Sequence, residues 1–311
     1  MAVDQFSGTS ALADQVQTAY DRNAYFGLRT MPVFDQFVDV KPGNVTSPGS
    51  AVQFLLWTEM TAATTALTET VDVDAVALAD TTVTVTPSEY GNAILVTLKV
   101  EKDTLLVGFD PDLANLLTYN MVISQDTIAR TAFDAAGTAA YVTGSAETSQ
   151  TTTSIITADI VRRERSNLVN SAVRPWTGSL YAALVHPDVG YDLKGETGDG
   201  TWVAPHQYVD TAAIYNDEIG TFGGFKFVET SRASVNLTGG TGSTVDTYNT
   251  YFLGQQAVAK AEPIAPHAVI GPVTDKLLRF RPLGWHAYMG YGTFRTASMQ
   301  NLLSASSLGG A

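Results

Sequence analysis

The sequence predicts an α+β fold. Three observations carry that reading: one long amphipathic stretch at 110–136, apolar strand-like runs on both sides of it, and a Thr-rich alternating segment between the first two runs. The class of protein is bounded by composition. Of the 311 residues 45% are apolar, which fits a folded chain with a real core. Only 16% are charged, against a usual share of about a quarter. Such a surface, rich in small residues, suits extensive subunit contact.

Charge and cysteine content exclude several functions. The net charge is −13, whereas tight nucleic-acid binders are usually basic because phosphate contacts dominate their affinity. The chain has no Cys, so disulfides, thiolate metal sites and Cys nucleophiles are out of reach. No apolar run approaches the roughly 20 residues of a membrane helix, and the N-terminus has no secretion-signal pattern, so folding in a cytoplasm is expected.

Residues 1–47 read as an arm. A short helix is expected in "SALADQVQTAYDRNAYF", with Ser10 as its cap, followed by an extended proline-containing stretch. Residues 48–98 read as an extended β-loop. "AVQFLLW" (51–57) and "AILVTLKV" (93–100) are its strand-like runs. Between them, Val71 and Val73 alternate with Asp72 and Asp74, and Val83 and Val85 alternate with threonines. From 46 to 98 there is no Lys or Arg, but six acids: Glu59, Glu69, Asp72, Asp74, Asp80 and Glu89. A loop this long implies a function or a partner.

The helix at 110–136 has Asp110 as N-cap, Pro111 at its first position and Gly137 as its stop, with Leu113, Leu116, Leu117, Met121, Ile128 and Ala132 along one side. At about 1.5 Å per residue it spans on the order of 40 Å and is expected to be the spine of a domain at 99–154. A polar connection (144–154) leads to a second helix, 158–173, capped by Thr157, with a stripe of Ile160, Val161, Leu168 and Val169. Its Arg162, Arg163 and Arg165 form a basic run in an acidic protein, with a solvated face as the plain reading and an acidic neighbour as the preferred one. Next come a buried strand, a short helix begun by Pro187 and Asp188, a glycine-rich loop, and a strand at 247–254. The last segment gives aromatic-rich strands through Leu283, Trp285, Ala287 and Met289, then a short helical tail.

The search for chemistry yields no catalytic, cofactor-binding or metal-binding residues. "GTFGGF" (220–225) lacks the P-loop Lys and the following helix that a phosphate loop needs. It reads as a hairpin, with Gly223 and Gly224 in the positive-φ turn, Gly220 in the strand before it, Phe225 and Phe227 facing a core, and Lys226 facing out. His186, His206, His267 and His286 show no metal-ligand spacing, and His186 reads as a strand-end residue. No nucleophile-elbow motif is present, so the chain is expected not to be an enzyme.

The order of elements, together with "PGSAVQF" (48–54), "LVHPDVGYDL" (184–193), "EIGTFGGFKFVET" (218–230) and "PLGWHAY" (282–288), resembles the major capsid proteins of tailed bacteriophages with the Hong Kong 97-type fold. The third match is the most specific. Where that family often has a basic residue after the closing Trp, this chain has His286. The resemblance implies an arm (1–47), a β-loop (48–98) lying over a neighbour, a peripheral domain (99–154), an axial domain (155–270) and a return to the peripheral domain (271–311). It implies self-assembly into hexamers and pentamers of an icosahedral head shell around double-stranded DNA, held without sequence-specific binding. A portal, a separate scaffolding protein and a decoration protein are the implied partners, and the virion, assembled in the bacterial cytoplasm, is the implied location. No membrane and no cofactor are implied. Family members that cross-link covalently use a β-loop Lys, which this loop lacks, so the contacts are expected to be non-covalent. Glu59, Glu69, Asp72 and Asp74 on one side, and Arg162, Arg163, Arg165, Arg279 and Arg281 on the other, are the interface candidates. Replacing Arg162, Arg163 and Arg165 together by Glu is expected to block assembly and leave the subunit folded. An encapsulin-like cage and a phage tail or fibre protein are the rival readings.

Overall fold

The computed structural model describes residues 29–40, 51–70, 72–103, 109–196, 218–272, 275–277 and 279–309. The expected N-terminal helix with Ser10, the glycine-rich loop from 197 onward, and His206 lie outside the described residues.

In chain order the strands are β1 (Asp39–Val40), β2 (Val52–Trp57), β3 (Asp80–Val85), β4 (Ser88–Thr97), β5 (Thr138–Tyr141), β6 (Tyr181–Val185), β7 (Glu218–Phe222), β8 (Phe225–Glu229), β9 (Val235–Asn236), β10 (Thr247–Leu253), β11 (Val258–Ile270), β12 (Phe280–Thr293) and β13 (Met299–Ser304). The helices are α1 (Leu98–Asp103), α2 (Phe109–Ala135), α3 (Ala158–Asn170) and α4 (Pro187–Gly195). Helices and largely antiparallel sheets together make an α+β fold.

Two sheets organise the chain. A four-stranded sheet runs β1-β11-β12-β4, and a seven-stranded sheet runs β5-β13-β10-β6-β8-β7, with β9 attached to β10. The spine helix α2 lies across the first sheet. Leu117, Met121 and Ile128 pack on Trp285, Ala287 and Met289, and the Trp285 indole donates to Asn120 Oδ1 at 2.8 Å. The alternation expected through 283–289 thus faces the spine. Gly137, at φ +82°, ends the helix as expected, where a side chain would meet the Met299 carbonyl. The helix begins at Phe109, which puts Asp110 and Pro111 inside its first turn.

The second sheet is covered on both faces. One face carries Ala182, Leu184, Val228, Tyr251 and Leu253 against Phe34, Phe37, Ala129 and Phe133. The other carries Ala183, Val185, Phe225, Phe227 and Phe252 against Val161 and Leu168 of α3 and Val189 and Leu193 of α4. That double cover explains the continuous burial of β6, which alternation alone would not predict.

Several expectations are corrected. Residues 299–304 form β13, not a helical tail, because that strand pairs with β10 on one side and β5 on the other. The run 93–100 is a strand only to Thr97 and then turns into α1. Residues 72–74 take no part in a strand and Val71 lies outside the described residues, whereas β3 does alternate, with Val83 and Val85 turned inward. The division at 270/271 does not match the sheets: β11 belongs wholly to the four-stranded sheet and β13 to the seven-stranded one. In α3 the buried positions are Ala158, Val161, Glu164 and Leu168, while Val169 is exposed. In α2, Leu116 is exposed and Asp126 is buried in its place among the core positions.

Candidate assembly surfaces

The β2–β3 ribbon is rooted and then released. Phe54 and Val85 are buried against Ala259 and Ala261, with Phe294 against Phe54 at 5.4 Å between ring centroids. Beyond that root the ribbon is largely exposed, although Glu59 still borders Arg174 and Arg295. Trp57, Met60, Leu67, Val73, Val76 and Leu78 are each more than half exposed. All six acids of the loop are exposed as well. An apolar patch of this extent on a single chain marks a surface that another molecule covers.

The candidate acids Glu59, Glu69, Asp72 and Asp74 are all exposed on the one loop, with Glu59 near its base. The candidate arginines share no single element. On α3, Arg162 pairs with Asp159 one turn earlier at 3.1 Å. Arg163 pairs with the fully buried Glu164 at 2.9 Å and donates to the Tyr141 carbonyl. Arg165 lies over the hairpin turn, where a side chain at Gly224 would strike its guanidinium. Arg279 pairs with Asp275 at 2.6 Å and sits over the Phe280 ring, and Arg281 lies on β12 opposite Val96. The Arg279 side chain holds the Asp275 carboxyl below its usual range, chiefly through that hydrogen bond. The basic run on α3 thus has work inside its own subunit, which charge counting could not reveal.

Residues 218–229 form a hairpin. β7 and β8 pair antiparallel around Gly223 at φ +58° and Gly224 at φ +85°, the conformation of a tight two-residue turn. Gly220, at φ +139°, sits where the β7–β8 register shifts, which marks a bulge. Phe225 and Phe227 are fully buried, but Lys226 is buried too. It shares the face of Val228, and that face is covered by the spine and the N-terminal segment.

Residues that the sequence reading missed lock the segments together. Asp126 accepts from the backbone N–H groups of Val33 and Phe34 at 2.9 and 2.8 Å, and from Arg232 Nε. Asp35 accepts from Gln125, from Lys260 and, at 2.6 Å, from Tyr291. Burial, then the neighbouring Asp35 charge, pushes the Tyr291 hydroxyl far above its usual range. Tyr251 donates to Asp134 and is raised likewise, again mainly by burial. Asn301 donates to the Phe133 and Ala136 carbonyls at 2.9 and 2.7 Å, closing the C-terminal end of α2. The one available signal was an acid, Asp126, within an apolar helical stretch.

His186 is the N-cap of α4, where its Nδ1 accepts from the Asp188 N–H. His267 and His286 are cross-strand neighbours with ring centroids 5.8 Å apart, a proximity their separation in sequence concealed. Among the described residues no three His, Asp or Glu groups converge as a metal site, and no described helix is long and apolar enough to cross a membrane.

A family model described as phage capsid protein matches residues 127–299, more than half of the chain. The chain belongs to this family. Solved structures agree on the fold of this capsid protein. The capsid of Ralstonia phage GP4 superposes with a TM-score of 0.81 at 12% identity, covering 98% of both chains. The capsid of Cyanophage Pam1 follows at 0.73 and 13%, covering 98% of this chain and 100% of that one. The capsid of Cyanophage P-SCSP1u gives 0.70 and 12%, covering 95% and 94%. No curated protein matches the sequence. The capsid protein therefore has the Hong Kong 97-type fold expected from its motifs, and its family is structural rather than enzymatic.

Proposed function

We propose that this capsid protein is the major subunit of an icosahedral phage head, assembled from hexamers and pentamers of itself around double-stranded DNA. The observation that carries the reading is the family match over 127–299, and the exposed apolar ribbon supplies a surface for neighbours. The long helix α2 also separates the chain from a β-rich tail or fibre protein. In this reading the ribbon lies over an adjacent subunit. The seven-stranded sheet with α3 and α4 forms the axial unit, and α2 with the four-stranded sheet forms the peripheral one. The hairpin of Gly220, Gly223 and Gly224 then shapes the axial unit. Interfaces are non-covalent, each burying a few hundred to a few thousand Å², so that assembly errors can be corrected. The acidic surface lets packaged DNA slide without being gripped. A portal, a separate scaffolding protein and a decoration protein complete the head, which is assembled in the bacterial cytoplasm and ends as the virion shell.

Light scattering after size exclusion, with electron microscopy of the leading peak, tests this. Megadalton particles with icosahedral outlines are the expected result. A species that stays small even when its neighbouring genes are co-expressed overturns the reading.

A further inference from the structure

One cleft holds cations that the fold leaves unused. It encloses about 330 Å³ between the end of α3, the β10–β11 turn and the β12–β13 turn, and it is lined by Arg174, Gln256, Arg295 and Glu59 among others. Arg174 and Arg295 come from segments far apart in sequence, yet both border this one space. Unlike Arg162, Arg163, Arg232 and Arg279, their guanidinium groups have no hydrogen-bond or ion-pair partner among the described residues. Glu59, although it lines the cleft, makes no ion pair with either. Two arginines against one acid leave the cleft positive in a chain whose net charge is −13.

The chain also carries a matching surface. The ribbon tip presents Glu69, Asp72 and Asp74, all exposed, in a stretch with no Lys or Arg. Tip and cleft are different surfaces of the same chain. A contact between tip and cleft of two copies is therefore head-to-tail, the type that closes into rings. Planar guanidinium groups suit carboxylates better than any other side chain.

We infer that the Arg174–Arg295 cleft is the acceptor for the acidic β-loop tip, Glu69 to Asp74, of a neighbouring copy. This rests on the capsid reading and assigns its ionic partners, moving them from the α3 arginines to a cleft the sequence did not single out. The contact orients the loop and sets the register of neighbours, as complementary charge does at interfaces generally.

The absence of native cysteine makes the test direct. An Asp72→Cys chain and an Arg295→Cys chain are co-assembled, oxidised and run on a non-reducing gel. A covalent heterodimer from intact shells supports the contact, and intact shells with no heterodimer overturn it. Independently, Arg174→Glu with Arg295→Glu should lower the particle yield at least about tenfold. Adding Glu69→Lys, Asp72→Lys and Asp74→Lys to the same chain should restore it. Native yield from the charge-reversed cleft overturns the contact, even where shells form normally. If the native chain forms no shell even with its neighbouring genes co-expressed, the capsid reading itself fails and the contact goes with it. Circular dichroism on each variant separates misfolding from lost assembly, and the cysteine pair decides the matter where the charge-reversed variant misfolds.

Discussion

Arg232 Nε and Asp126 Oδ2 lie 2.5 Å apart, with the Asp126 side chain almost wholly buried and Arg232 only 14% exposed. The same carboxylate receives the backbone of Val33 and Phe34, and Arg232 also donates to Thr127 and to the Ile123 carbonyl. One acid thus joins the N-terminal segment, the spine helix and the loop after β8.

Asp126→Ala leaves a buried guanidinium and two backbone N–H groups without their acceptor. Breaking one side of a buried pair costs about 3–5 kcal/mol. Urea unfolding of the dissociated subunit should show a loss of that order. Hydrogen exchange at Val33 and Phe34 should rise well above the global change. A variant with native stability would show that the carboxylate is not the anchor.

Asn301→Ala removes the donor that closes the end of α2. The Phe133 and Ala136 carbonyls lose their side-chain partner in a buried site. The cost is about 1–3 kcal/mol, and Asn301→Ser should recover little because its side chain is too short to reach. Thermal unfolding of both variants measures it.

Arg163→Glu should destabilise the subunit itself. It replaces the cation beside fully buried Glu164 by a like charge, for a loss of about 1–3 kcal/mol after allowing for the half-exposed arginine. Reversing all three α3 arginines therefore tests folding before it tests assembly, contrary to the expectation from sequence. Arg162→Glu alone, whose pair with Asp159 is exposed, should change stability by less than about 1 kcal/mol. Denaturant midpoints of the two single variants give the contrast.

Gly224→Val strains a φ of +85° and drives the new side chain into Arg165. A β-branched residue in that region costs about 1–3 kcal/mol before the clash is counted. The subunit's melting temperature should fall, and so should the hairpin's exchange protection. Gly178→Ala, also at positive φ but with open space around it, should cost less.

Mild acid should weaken the α4 cap. Burial lowers the His186 pKa below the ordinary imidazole value of 6.5, against the opposing charges of Asp188 and Glu229. The folded state therefore binds fewer protons than the unfolded one just below pH 6.5. The stability this contributes is complete above that pH and is lost as pH falls through the lower folded value. His186→Asn keeps a capping side chain but does not titrate there. Its stability should be flatter than the native protein's between neutral pH and pH 5, as read from urea midpoints across that range.

Local signals made much of this protein legible. The Gly223–Gly224 turn, the Gly137 stop and the Trp285–Met289 alternation depend on near neighbours in sequence, so turn chemistry and periodicity specified them. Composition excluded cysteine chemistry outright, and the quoted motifs pointed to the family. What lay beyond the sequence depends on contacts made across long separations. Met299–Ser304 became a strand because β10 and β5 flank it, and Lys226 was buried because a second layer covers its face. Arg162 and Arg163 of α3 look free in the sequence and are paired in the fold, while Arg174 and Arg295 look unremarkable and meet in one cleft. Charge and propensity belong to residues one at a time. Which charges are paired, and which are left over for a neighbour, is decided only when distant segments pack together.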